Sequence, residues 1–490
     1  LFNKGEHFTM SKITDKKISH AFLIEFIILG AIGIFIFSSH AYQDFCETMR
    51  HGLTVWDALF DGKLIDFYAY CGGNNGGIYC GSDTLGTYMD ARYDFTIYVI
   101  FAIWNFPLWL IEHFGGGNIQ NSFIAMLYAK SMLLAAVAVT GRLIIMISAK
   151  ITGNTQSTPG LVLSYLSSCT LLASLLIIGQ YDVLALIFIL AGVYFYLNDS
   201  QKYFFICFII ANSMKYFGLL YLLPLLCLKE KNPLKLAGKL ALSMSLSVFW
   251  KIFFSLGTYG TAVLSNNDGL ISMLTDYQVF SGVSIFWVSY LALVIHCYKR
   301  KDMSQARHYH EVIFAGFVTY MLLYTATPAY PYWVVLLIPF LTIMLHTSGS
   351  LYGLNTWLTI MFESALLIKH YTWYPWCYSR VTYGNMLLYK LCPNKAVGAP
   401  DIGRYINYWI EKFPTWHIPV MLSTVFTAAG FALILLNRPK EAGDSGDSAL
   451  TYTQNPVLMR IRLAISLLIL LIPDIYYIGV TSGFLKNMQP

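Results

Sequence analysis

AFLIEFIILGAIGIFIF at residues 21–37, followed by SSHAYQDFCETMRHG at residues 38–52, decides how the rest of the chain is read. The first run is apolar with one charge, Glu25, and reads as a membrane helix. The second turns polar at once and puts Asp44 a few residues past the helix end, at the lip of a bilayer where a lipid head group lies. The polar stretch runs on to residue 94. It carries Asp57, Asp61, Asp66, Asp83, Asp90 and the glycine-rich CGGNNGGIYC, and DARYDFTIY then enters the second apolar run. A polar segment this long, tied at both ends to apolar helices, is expected to have a function of its own. Lys12, Lys16 and Lys17 precede the first helix, so the positive-inside rule keeps them in the cytoplasm and faces residues 39–94 outward. No small-residue cleavage site follows the first helix, which reads as an uncleaved anchor, and the first nine residues read as leader or processing remnant.

Composition agrees. The chain is 57% hydrophobic and only 12% charged, about half the usual charged fraction of a globular domain, so a soluble fold could not cover its apolar surface. The formal net charge of +6 therefore bears on membrane orientation and not on nucleic acid, for which there is no signal. No Walker loop, dinucleotide fingerprint or zinc-finger spacing occurs in the polar segments.

Further apolar runs are expected at 93–111, 121–151, 161–178, 183–197, 204–228, 236–255, 279–296, 312–325, 330–345, 351–367, 418–436 and 463–477. The fold expected is an all-α polytopic bundle of about 13 transmembrane helices, with a large first outer loop carrying interfacial helices at residues 55–70. A second outer loop is expected at 369–415. The basic segments KEKNPLK (229–235) and YKRKDMSQARHYH (298–310) belong inside. Two topologies meet that condition. In one, 121–151 and 204–228 each cross once, which leaves Asp182 inside and Lys150 outside. In the other both are broken pairs, with Arg142, Lys150 and Lys202 inside and Asp182 outside; this one obeys the charge rule better and is preferred.

Chemistry is expected from ionisable groups near the membrane surface, where charge is costly unless it is used. Asp44 suits a general base, against the plainer role of a loop or capping aspartate. Asp182 follows the Gly179–Gln180–Tyr181 break and suits either a site residue or a cap on the next helix. Lys215, isolated among apolar residues, meets either a lipid phosphate or an internal ion-pair partner. Arg50, His51, Arg92, Arg380 and Arg404 are external bases within reach of phosphate or sugar, Asp94 is an alternative base, and Tyr42, Trp56, Tyr68 and Tyr93 suit sugar stacking. Glu25, Lys130, Lys251 and Glu363 read as structural. Of nine cysteines, Cys71 and Cys80 would close a small outer loop if oxidised; free thiols are the equal alternative. No ligand set calls for a metal.

The order of these features resembles the GT-C superfamily, multi-spanning glycosyltransferases that use polyprenyl- or dolichyl-phosphate sugars. Asp44 in YQDF is similar to its early catalytic Asp. RYDFTIYVIFAIWNFPLW resembles the aromatic entry to the second span of bacterial members, and GQYD with NSMKYFGLLYLLPLL resembles their Gln–Asp and Lys–aromatic segments. The resemblance implies a cytoplasmic N-terminus at 1–20, a catalytic membrane module at 21–228 including loop 39–94, and a C-terminal membrane module at 229–490. It implies inverting transfer from a polyprenyl-phosphate-linked sugar to a glycan, glycolipid or polymer acceptor, outside a bacterial plasma membrane. Asp44 would be catalytic, with Gln180, Tyr181, Asp182, Lys215, Arg50, His51, Arg92 and Asp94 binding substrate. Some members use a divalent metal and others none. A flippase of lipid-linked sugars and a non-catalytic envelope subunit are the rival readings.

Overall fold

In the computed structural model of the 490-residue chain, residues 22–71, 91, 93–115, 119, 122–153, 158–257, 268–301, 303–379, 386–393, 401–439 and 453–485 are described. Nearly all of them are helical; the described strands are a short antiparallel pair, Gln278–Phe280 with Val283–Ser284. Five helices are long and apolar enough to cross a membrane, or up to eight if each of three bent pairs is one span. The chain is a membrane protein by that measure.

The N-terminal part comprises α1 (Leu23–Ser39), α2 (Gln43–Phe60), α3 (Phe67–Cys71), α4 (Phe95–Gly115), α5 (Phe123–Thr152), α6 (Thr158–Leu166), α7 (Cys169–Leu172), α8 (Asp182–Leu197), α9 (Gln201–Asn212) and α10 (Phe217–Lys229). Then come α11 (Pro233–Ser243), α12 (Ser245–Ser255), α13 (Asp268–Asp276), α14 (Ile285–Lys299), α15 (Gln305–Thr325), α16 (Ile338–Thr347) and α17 (Tyr352–Trp373). The chain closes with α18 (Ile402–Lys412), α19 (Ile418–Leu436), α20 (Pro456–Leu470) and α21 (Ile472–Thr481).

Three breaks shape one end of the bundle. Extended backbone at His40 and Tyr42 interrupts the first helix, and α1 and α2 meet at 71°. After α7 the chain widens into a π-helical turn at Ala173–Ile177 and reverses at Gly179, whose φ of +68° a side chain would resist. Between α9 and α10, residues 213–216 leave the helical path. These breaks bring Asp44, Gln180–Asp182 and Lys215 together.

The opposite end collects the basic segments. Lys229 pairs with Asp199, Lys231 Nζ donates to the Cys297 carbonyl at 3.2 Å, and Tyr298 donates to the Lys231 carbonyl at 2.5 Å. The His308 ring stacks on Tyr196 at 5.6 Å, and the charge of Lys150 acts on Asp199. Between the two ends lies α8, about 24 Å long at 1.5 Å per residue.

This corrects one expectation. Residues 121–151 are not a broken pair: α5 is a continuous helix of 30 residues, capped by Ser122 and ended by Gly153 at φ +66°. The break expected in 204–228 is present. Asp182 nonetheless lies opposite both basic segments and Lys150, because α8 carries it at one end while Asp199, just past the other, meets Lys229 and the charge of Lys150. Tyr93, just before α4, lies under Lys215, and Trp104 bonds the Tyr128 carbonyl near the start of α5.

The stretch at 55–70 is helical, as expected, but several of its aromatics turn away from lipid. The Trp56 indole donates to the Ala102 carbonyl at 2.9 Å, and Phe67 and Tyr68 are buried against Phe95, Tyr98 and Phe254. Gly52 permits this packing, since a Cβ there would come within 2.6 Å of the Phe101 Cβ and 2.9 Å of its carbonyl carbon.

Candidate active site

Asp44 stands in the first turn of α2, just past the hinge, and is 8% exposed. A carboxylate sealed to that degree needs donors. Gln180 Nε2 donates to one of its oxygens at 3.2 Å, and the Tyr181 hydroxyl lies 3.3 Å from both. Thr48, one turn along α2, donates to the Asp44 backbone carbonyl at 2.8 Å, with its Oγ1 3.0 Å from the Tyr181 hydroxyl. The reversal at Gly179 is what aims both Gln180 and Tyr181 at α2.

Asp182 opens α8 and does not cap it; α8 begins after Tyr181 with no side-chain cap. Its buried carboxylate forms an ion pair with Lys215. The Lys215 ammonium also sits over two rings, 4.6 Å from the Tyr93 centroid and 5.0 Å from that of Tyr181. The structure thus gives Lys215 an internal ion-pair partner. Its charge acts on Asp44 as well as on Asp182, so two carboxylates share one cation.

The hinge that presents Asp44 is itself held. Lys130, fully buried on α5, donates to the Phe37 carbonyl at 2.5 Å, the His40 carbonyl at 2.6 Å and, more distantly, the Leu176 carbonyl at 3.5 Å. It thereby ties the end of α1 to the π-turn that leads to Gln180. His40 Nε2 meets Asp474 of α21 at 2.7 Å, both side chains 1% exposed. Lys130 read as structural in the sequence, and it is, though its partners are carbonyls and not an acid.

The other expected site residues make contacts of their own. Arg50 pairs with Glu112 of α4 at 2.5 Å, and His51 is buried edge-on to Tyr98 at 5.6 Å. Asp94 accepts from Tyr216 at 3.0 Å and from Ser247, and burial raises its carboxyl above the ordinary range. Arg404 is exposed and lies near Asp401. Arg92, Arg380 and the Cys71–Cys80 pairing lie outside the described residues. Among the described residues no three His, Cys, Asp or Glu side chains gather as a metal site.

Three residues at this end carried no role in the sequence reading. Thr48 faces Tyr181; the electrostatic reach of Tyr332 includes Asp44 and Tyr93; Cys377 lies 4.0 Å from the Tyr42 hydroxyl. The i, i+4 spacing of Asp44 and Thr48 was the only local clue to any of them. No protein-family model, curated protein or solved structure significantly matches the chain.

Proposed function

We propose that the protein is a membrane glycosyltransferase of the GT-C kind, moving a sugar from a polyprenyl-phosphate donor to a glycan, glycolipid or polymer acceptor outside a bacterial plasma membrane. The observation that carries the reading is the buried cluster of Asp44, Gln180, Tyr181, Asp182 and Lys215, drawn from three separated chain breaks to the end of the bundle opposite the basic loops. By the positive-inside rule that end is external. In this reading α2 and α4 lie together at the outer interface and most other long helices cross, giving about 13 spans.

In the reaction, Asp44 takes the proton of an acceptor hydroxyl. The resulting oxygen attacks the anomeric carbon from the face opposite the phosphate, and the bond from that carbon to the phosphate oxygen breaks with inversion. The leaving lipid phosphate carries away the electron pair. Gln180 and Tyr181 orient the base. Lys215, fixed by Asp182 and two rings, supplies the positive charge toward which the departing anion is drawn, in a site of low dielectric. No metal is required by these residues. The test is to incubate the purified full chain with a panel of polyprenyl-phosphate sugars and candidate acceptors, and to follow free polyprenyl phosphate. Acceptor-dependent release with any donor supports the reading; a full panel without release, from protein that binds the donors, removes it.

A further inference from the structure

Lys130, Lys369 and Arg462 are the buried lysine and arginine side chains among the described residues. Arg462 pairs with Glu363 at 2.7 Å and also donates to Ser164, and Lys130 is held by backbone carbonyls. Lys369 has neither kind of partner among the described residues. Its ammonium lies 3.7 Å from the ring centroid of Trp373 and 4.7 Å from that of Phe426. Ring faces offset part of the cost of burying an ammonium, but they do not neutralise it.

This lysine lines a small surface cleft together with Tyr277, Tyr324, His370, Trp373 and Phe426. Trp373 is 46% exposed, so that wall of the cleft lies at the protein surface. Lys369 lies one turn before the end of α17, so the cleft sits at the level where a membrane helix meets its interface. It belongs to the Asp182 end: the Tyr324 hydroxyl is within electrostatic reach of Asp182, and its ring centre is 6.5 Å from that of His370.

We propose that this cleft binds a phosphate anion, with Lys369 as its counter-charge. Lysine is a point-charge ligand for phosphate, and phosphate is the anion concentrated at membrane interfaces. A lipid head group and a soluble phosphate offer the same chemistry. The site stands apart from the glycosyltransferase reading, since nothing in it depends on Asp44.

The experiment measures binding of dioctanoyl phosphatidic acid to the full chain in uncharged detergent, with inorganic phosphate as competitor. Saturable binding is expected, weakened about 30-fold or more in Lys369→Met and kept within about three-fold in Lys369→Arg. Lys369→Met should melt no lower than the parent, because an unpaired cation has been removed; Lys369→Gln repeats the test should the Met variant fold poorly. Competition by millimolar inorganic phosphate assigns the site to soluble phosphates, and its absence to lipid head groups. Unchanged phosphatidic acid binding in both neutral variants, or binding of neither probe by the parent, overturns the proposal.

Discussion

Lys215 spends its charge on Asp182: the ammonium from the α9–α10 break meets the carboxylate at the start of α8, with the acid completely buried. Removing the cation therefore strands the acid. Lys215→Met should lower stability by about 3 kcal/mol, the low end for breaking a buried pair because the lysine keeps slight exposure. Adding Asp182→Asn should restore more than half of that loss. Thermal unfolding of both variants and the double mutant in one detergent measures the coupling; additive losses would mean that the pair is not energetically linked.

Lys130 is predicted to hold the hinge. Lys130→Met leaves the Phe37 and His40 carbonyls without their charged donor, at about 1.5–3 kcal/mol for a hydrogen bond to a charged group. The melting temperature should fall clearly, and any Asp44-dependent activity should fall further than in a variant of equal stability loss elsewhere, such as Glu363→Gln. An unchanged melting temperature would show that the carbonyl cage is unimportant.

Gly52 lets α2 approach the α4 backbone closely, a Cβ there lying 2.9 Å from the Phe101 carbonyl carbon. Gly52→Ala forces a methyl group against Phe101 and should cost about 1–3 kcal/mol, the range for overpacking. Gly141→Ala on α5, where a Cβ meets nothing within 4 Å, is the control and should be neutral or slightly stabilising. Thermal unfolding compares the two; equal melting temperatures would deny the tight α2–α4 contact.

How much of this was legible in the sequence follows from the physics of each signal. Helical class and membrane character are written in apolar runs, which depend on local composition alone. Asp44, Asp182 and Lys215 stood out because charge beside apolar runs is rare, and the Gly179 reversal is a local backbone property. The Lys215–Asp182 pair was one of two options because pairing is decided by tertiary distance. Arg50 and His51 were grouped with Asp44 by sequence proximity; on α2 they meet α4 at Glu112 and Tyr98, contacts that only tertiary packing decides. The continuous path of α5 through Gly141 and Arg142 was hidden because a glycine and a charge are tolerated within a helix that long. For Lys369 the i, i+4 spacing to Trp373 was visible, but Phe426 comes from α19 and only tertiary packing brings it there.

Orientation is open to direct mapping. In a background without native cysteines, Trp416→Cys, at an exposed position beyond α18, should react with an impermeant thiol reagent on intact cells. Asp199→Cys, whose parent side chain is 82% exposed beside Lys229, should react only after permeabilisation. The reverse pattern would put the Asp44 cluster on the cytoplasmic face and remove the external donor from the account.

The central claim is that Asp44 is the base in sugar transfer from a lipid phosphate. Asp44→Asn keeps size and can still meet Gln180 and Tyr181, but it cannot take a proton. With a donor and acceptor that the parent protein uses, release of free polyprenyl phosphate should fall at least about 100-fold at unchanged donor affinity, the usual scale of general-base catalysis. Near-parental release by Asp44→Asn would contradict the account.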